Sequence, residues 1–322
     1  MNNLDTQVIT QKPIKTYKKR AFLVDVFVRL IKEKPMGTFG GAIVLIMLLA
    51  GIFSNFIEPY PPLEPHPGEF LQAPSSKYIL GTDNLGRDLF SRILSGARTS
   101  MIVGLVAPAI SVLISLFIGG VSGFLGGKAD MVIQRFVDAW MCFPELIILM
   151  SVMAYVGQGL WQVVLVLGIT GGIAGSRTMR GAVIAIKENV YVEAAKAVGS
   201  GVPRILTKHI LPNIMPVVII IFTTRMSGAI LAEASISFLG FGIPPPEPTW
   251  GGMLSTSGRR YMLQAPWMAL WPGVALSLAV YGINMFGDAV RDLIDPRLRG
   301  GLGRYEGSKI QKARVKKLEV NN

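Results

Sequence analysis

The residues of this chain that could carry chemistry are few and scattered. His66 and His209 are the only histidines and Cys142 the only cysteine, so no zinc-type ligand spacing and no intrachain disulfide can be drawn from them. The apolar runs contain no histidine, which leaves no Ser/His/Asp set within them. A phosphate-cradling loop requires G-x-x-x-x-G-K-[ST]. The nearest stretch ends at Gly127-Lys128, with Ser122 where the first glycine belongs and Ala129 where the magnesium-binding hydroxyl belongs. No catalytic or metal-ligating residue is therefore assigned, no cofactor is expected on this chain, and any nucleotide energy must come through another one. What remains are three ionisable groups inside apolar runs: Glu145, Arg225 and Glu233. A charge at such a position is costly and marks a functional-site candidate by default, with a pathway role the lesser of two readings. A structural pairing or snorkelling role is the alternative. Arg225 and Glu233 stand eight apart on one helix, so they point roughly 80° apart and can share a polar cavity without touching. Glu233 is expected near the outer end, where simple solvation is an alternative to a pathway role.

A second constellation is polar and small rather than charged. The segment 176–213 contains Tyr191-Val192-Glu193-Ala194-Ala195-Lys196-Ala197-Val198-Gly199, then Val202-Pro203, then His209-Ile210-Leu211-Pro212-Asn213. Its pattern predicts a helix ending at Gly199, a turn containing Pro203, and a second short helix that enters the next apolar run at Pro212. Gly199 suits a left-handed or tight backbone conformation. Small side chains at Ala194 and Ala195 permit close approach of another protein. A surface helical hairpin without special role is the plainer reading.

The elements that position these residues are membrane spans. Of 322 residues, 51% are hydrophobic and 16% charged, yet the net charge is +12. Soluble domains carry roughly 25% charged residues. Runs of the length needed to cross the hydrocarbon core, about 20 residues, lie at 36–57, 99–126, 139–156, 160–175, 214–239 and 267–287. The fourth is short and glycine-rich. The first is not a signal peptide, because some 35 polar and basic residues precede it and no small-x-small cleavage site follows. With the N-terminus inside, segments 1–35, 127–138, 176–213 and 288–322 hold 25 of the 32 Lys+Arg, against 6 in the outer segments 58–98 and 240–266. That asymmetry places both termini in the cytoplasm. It also disfavours nucleic acid as partner, since the basic residues flank spans instead of gathering with aromatics on one face.

Several local expectations follow. Residues 17–34 have helical apolar spacing and form either an amphipathic interfacial helix or an inward extension of the first span. The proline-rich segment 58–68 is an extended linker. Thr82 or Asp83 caps a short helix over 89–94. Glycines four apart (Gly119/Gly123, Gly168/Gly172, Gly171/Gly175) mark close helix contacts.

With these residues assembled, the chain resembles the permeases of ATP-binding-cassette (ABC) importers. Glu193-Ala194-Ala195, then Gly199, then Leu211-Pro212 is similar to the cytoplasmic EAA loop of that family. The family's isoleucine three before the proline is replaced by His209, and His209-Ile210-Leu211-Pro212-Asn213 looks like the dipeptide/oligopeptide/nickel branch. Further stretches agree: Leu80-Gly81-Thr82-Asp83, Gly86-Arg87-Asp88, Ser91-Arg92, Gly96-Ala97-Arg98-Thr99-Ser100, Glu233-Ala234-Ser235, Ser237-Phe238-Leu239-Gly240, Trp250-Gly251, Gly287-Asp288, Arg291-Asp292 and Asp295-Pro296-Arg297-Leu298-Arg299. The long N-terminal extension resembles the C-type subunit.

The resemblance implies an all-α polytopic protein of the bacterial inner membrane, with six spans in the type I ABC importer permease fold. It implies a second homologous permease, two ATP-binding subunits that hydrolyse ATP, and an extracytoplasmic solute-binding protein as partners. Residues 1–98 would form the N-terminal tail, first span and outer loop, 99–292 the permease domain, and 293–322 a basic tail. Tyr191, Glu193, Ala194, Ala195, Gly199, Leu211 and Pro212 would contact the ATPase, and Glu145, Arg225 and Glu233 remain pathway candidates. The expected cargo is a di- or oligopeptide; nickel or another metal chelate, or a different small solute, is the alternative within the branch. A secondary transporter would need a midplane ion site that three scattered ionisable groups support poorly. A structural membrane protein without substrate is the other class.

Overall fold

The structure, a computed structural model, describes residues 22–294. Within them the chain is helical, and the one β-bridge joins Thr82 to Asp88. The segments 1–21 and 295–322 lie outside the described residues. They include the start of the expected amphipathic segment, most of the basic tail and the stretch from Asp295 to Arg299.

Helix α1 (Phe22–Glu33) is followed by α2 (Pro35–Ile52) and the short α3 (Ser54–Ile57). Lys34 separates α1 from α2, and Pro35 opens α2 at the position where a missing N–H costs nothing. Helix α1 is thus no simple extension of the first span. Its Leu30 packs against Ala289 and Leu293, and Lys34 pairs with Asp292 at 2.6 Å. Both contacts fall on the last helix.

Helix α4 (Leu89–Leu125) has 37 residues and begins ten residues before the expected second span, so the expected domain boundary at 98/99 falls inside it. Its cap is Asp88, not Thr82 or Asp83: the Asp88 carboxylate accepts from the Ser91 backbone N–H at 2.8 Å and from Ser91 Oγ at 2.7 Å.

The third expected span is not one helix. Helices α5 (Gly127–Met141) and α6 (Glu145–Val156) meet at 88°. Pro144 forces the break, because proline disfavours helical backbone at the residue before it and starts helices well. Alone, α6 is about 18 Å long, shorter than the roughly 30 Å hydrocarbon core.

The fourth span, α7 (Leu160–Lys187), is longer than expected and continues twelve residues past Gly175. Buried Met179 and Val183 keep it on the core. Helix α8 (Val190–Ala197) follows. The chain then runs as one helical rod, Val202–Phe238, made of α9 (Val202–Ile205), a π-helical turn (Leu206–Ile210) and α10 (Leu211–Phe238). Short helices α11 (Trp250–Met253) and α12 (Arg259–Tyr261) lead to α13 (Trp267–Ile294). Among the described residues, α2, α4, α7, Val202–Phe238 and α13 are long and apolar enough to cross a membrane, and the bent α5–α6 pair would make six.

The core is the α4–α7 pair, with α10 across it and α2–α13 on the flank. Absent side chains set these distances: a Cβ on Gly119 would lie 2.4 Å from the Ser176 carbonyl oxygen, and one on Gly40 2.6 Å from the Gly282 carbonyl. Without glycine at these crossings the backbones could not meet.

Candidate coupling surface and translocation-facing notch

The inner surface is built from α8, α9 and the π turn. Val192 and Ala195 of α8, with Ile205 and Ile210, are buried against Val112, Phe124, Met179 and Val183 of α4 and α7. Lys187 and Lys196 lie over the Phe124 ring at 5.8 and 5.7 Å from its centre. Helix α8 ends in a Schellman arrangement: the Ser200 N–H donates to Ala195 O at 3.0 Å and the Gly199 N–H to Lys196 O at 2.9 Å. Gly199 has φ +77°, and the space where its Cβ would stand is open. The expected left-handed glycine is therefore present.

The coupling candidates divide by face. Tyr191, Glu193, Ala194 and Gly199 are exposed, whereas Ala195 is buried and packs inward. Ala195 thus cannot offer its methyl to a partner. Leu211 is half-buried and Pro212 exposed at the start of α10. Pro212 removes one backbone donor, and the preceding π turn widens the helix to accommodate it. The Asn213 side-chain amide donates to the His209 carbonyl at 2.6 Å, occupying an acceptor at the end of the π turn. The second helix therefore does not merely lead into the fifth span; it is continuous with it.

At mid-depth the three ionisable groups separate. Arg225 and Glu145 line one small cavity of about 30 Å³ together with Ser111, Gly171 and Gly228. Glu145 opens α6, where the helix dipole favours a carboxylate. Glu233 is elsewhere and is fully buried, which rules out the solvated alternative. Its Oε1 accepts from Ser237 Oγ at 2.7 Å, and Oε2 has no partner among the described residues. The burial arises because α11 packs on this part of α10, with Gly251 directly over Ala234. Ser111 lines the Arg225 cavity and was not among the residues singled out from the sequence. A usable signal was present: Ser111 and Ser115 stand four apart in an apolar run, on one helix face.

The outer surface is held by polar contacts. Asp83 Oδ1 accepts from the backbone N–H groups of Leu85 (2.8 Å) and Arg87 (3.0 Å), and Oδ2 takes the Arg87 guanidinium at 2.7 Å. Arg92 stands 3.6 Å from the same carboxylate and donates to Pro62 O at 3.0 Å, tying the proline linker to α4. Thr82 Oγ1 donates to Glu69 O at 2.6 Å, and the indole N–H of Trp267 donates to Thr82 O at 3.2 Å. Glu69 contacts Lys77 and Tyr78; the hydrogen bond from Lys77, then that from Tyr78, holds its carboxyl below the usual carboxylate range. A cavity of about 230 Å³ lies beneath, lined by Asp83, Arg87, Arg92, Ser237 and Glu247 among others. His66 is in the outer linker, His209 on the π turn and Cys142 exposed at the α5–α6 break, so the three remain apart.

Comparison with known proteins agrees with this architecture. The profile of the family "Binding-protein-dependent transport system inner membrane component" matches residues 115–300. The chain is 35% identical over 287 residues to the probable D,D-dipeptide transport system permease protein DdpC of Escherichia coli (strain K12), covering 89% of this chain and 96% of that one. It is 35% identical over 272 residues to the dipeptide transport system permease protein DppC of Bacillus subtilis (strain 168), covering 84% and 85%. The glutathione transport system permease protein GsiD of Pectobacterium atrosepticum is 34% identical over 274 residues, covering 85% and 91%. In fold, the chain is similar to one from the MetNI methionine ABC transporter in an inward-facing conformation, with a TM-score of 0.53, 18% identity, and coverage of 63% of this chain and 96% of that one. Helix order, apolar spans and these relatives together establish that the chain belongs to the binding-protein-dependent transport system inner membrane components, and its fold is that of an ABC transporter's membrane subunit.

Proposed function

We propose that this subunit forms half of a translocation pathway for di- or oligopeptides. On this reading a second, homologous permease forms the other half, two ATP-binding subunits drive the cycle, and an extracytoplasmic binding protein delivers the cargo. The names of the relatives support the peptide cargo. The exposed row Tyr191, Glu193, Ala194 and Gly199, with Pro212 beside it, is the contact with the ATPase.

The observation that carries the coupling reading is mechanical. The face of α8 opposite that row is packed with Ile205 and Ile210 into the inner ends of α4 and α7, and α9 runs without interruption into α10. A force applied to the exposed row is passed to three spans at once, because packed apolar contacts move as units. ATP binding that draws the ATPases together would thereby rotate the spans from an inward-facing to an outward-facing arrangement.

Gly199→Arg tests this. A Cβ at this position meets no neighbour among the described residues, and a side chain there adds roughly 1–2 kcal/mol of backbone strain, too little to unfold the spans. The substitution should leave membrane insertion intact and strongly reduce substrate-stimulated ATP hydrolysis in the assembled importer. Normal transport by this variant would refute the coupling assignment. Uptake of a labelled dipeptide should cease on ATP depletion and survive collapse of the ion gradient; the reverse would favour a secondary transporter.

A further inference from the structure

The cavity that brings Arg225 and Glu145 together holds a charge that the chain does not neutralise. Arg225 is half-buried in α10 and has no hydrogen bond or ion pair among the described residues. Its guanidinium lies against bare backbone of α7: Nη1 is 3.5 Å from where a Gly171 Cβ would be, and Nη2 is 3.9 Å from that of Gly175. Ser111 of α4 is 2% exposed, and its Oγ lies 3.0 Å from the same Gly171 position, with no hydrogen-bond partner. A fork of cationic donors and a free hydroxyl therefore converge on one spot. The Ser111 hydroxyl, withdrawn from water without a partner, is costly unless an acceptor enters. A carboxylate is the group that fits a guanidinium fork best, and it can also accept a hydrogen bond from the serine hydroxyl.

Size and surroundings agree. The cavity, about 30 Å³, has room for one small polar group and not for a whole solute. Glu145 lines the same cavity from α6 and is exposed, and its sign suits a cation. Thr224 and Gly228, beside Arg225 on α10, are exposed too. A polar, charged strip at this depth faces a water-filled space or a partner helix, not hydrocarbon. We propose that Arg225 and Ser111 form a subsite for the terminal carboxylate of the translocated peptide, with Glu145 facing its ammonium group. The proposal rests on the peptide reading above: the carboxylate enters the notch and the rest of the peptide lies outside it, in the space shared with the second permease.

The test uses the complete importer in proteoliposomes with a dipeptide as probe, in its free-acid and C-terminally amidated forms. Each uptake rate is normalised to the measured occupancy of the binding protein. The wild-type complex should favour the free acid. Arg225→Gln should lower free-acid uptake roughly tenfold, the scale of one lost charge-assisted hydrogen bond, and abolish the preference. Arg225→Lys should keep part of it, since the charge remains while the fork is lost. Ser111→Ala, which removes only a hydroxyl, should weaken the preference about threefold. An assembled Arg225→Gln complex that keeps the full preference overturns the subsite. If that variant fails to assemble, Ser111→Ala decides, and an undiminished preference again overturns it. A wild-type complex that carries both forms equally refutes the subsite while leaving the peptide reading intact. One that carries neither form refutes the peptide reading, and the subsite with it.

Discussion

The inner surface around α8 and the outer cap over 58–98 both sit where the chain leaves the spans, yet opposite forces hold them. Inside, apolar side chains of Val192, Ala195, Ile205 and Ile210 are buried and the polar groups face outward. Outside, the buried groups are themselves polar: Asp83, Arg87, Asp88 and Arg92 are nearly inaccessible and are satisfied by one another and by backbone. Apolar packing is non-directional, so a block held that way keeps its contacts while the spans beneath it tilt. A buried hydrogen-bond network is directional and tolerates one arrangement. On the proposed coupling reading the inner block transmits motion, whereas the outer cap fixes the entrance of α4 and the proline linker.

That contrast can be broken in order of effect. Asp83→Ala strands two guanidinium groups in the outer cap and should cost about 3–5 kcal/mol, seen as loss of folded, extractable protein or a large fall in thermal midpoint. Ile210→Ala leaves a cavity in the inner block and should cost about 2–4 kcal/mol. Because it loosens the block, it should also lower stimulated ATP hydrolysis in whatever protein assembles. Asp88→Ala removes the α4 cap and should cost about 1 kcal/mol, with uptake preserved, since the cap bears no moving part. Glu193→Ala should change stability by less than about 0.5 kcal/mol, as an exposed side chain, yet still impair stimulated hydrolysis. If Glu193→Ala leaves hydrolysis intact and Asp88→Ala abolishes it, the division of labour is reversed.

The smallest effect is one of pH. Glu69 has its carboxyl held low by Lys77 and Tyr78, so its contribution to the outer cap is complete above the ordinary carboxylate pKa, about 4.3. It is lost as the pH falls through the lowered value. Hydrogen exchange at the Gln72 and Thr82 amides, corrected for intrinsic rates, should rise in that window in the wild type. In Glu69→Gln it should be raised already at neutral pH.

Much of this was legible in the residues, and the exceptions have physical causes. Gly199, the Pro212 entry, the proline linker and the glycine crossings were readable because each depends on a local backbone property. The third span was misread as continuous because an apolar run of suitable length carries no mark of direction; only Pro144 hinted at the 88° bend. Helix α4 was started too late and the wrong residue chosen as its cap, since Thr82, Asp83 and Asp88 are all good capping types. What separates them is that Thr82 and Asp83 are engaged by Glu69, Gln72 and Arg87. The burial of Glu233 is not legible because nothing in the sequence shows α11 folding over it.

The sequence by itself carried the apolar runs, the asymmetry of Lys and Arg across them and the family. Transfer of apolar residues out of water and the placement of Lys and Arg are sums over local composition, and need no knowledge of neighbours. The tertiary structure alone decided that Ala195 faces inward while Ala194 faces outward, that α9 is continuous with α10, and that Arg225 shares a cavity with Ser111 and Glu145 rather than with Glu233. Those outcomes depend on how closely helices far apart in sequence approach. That approach is set by glycine-lined crossings whose partners no local pattern names.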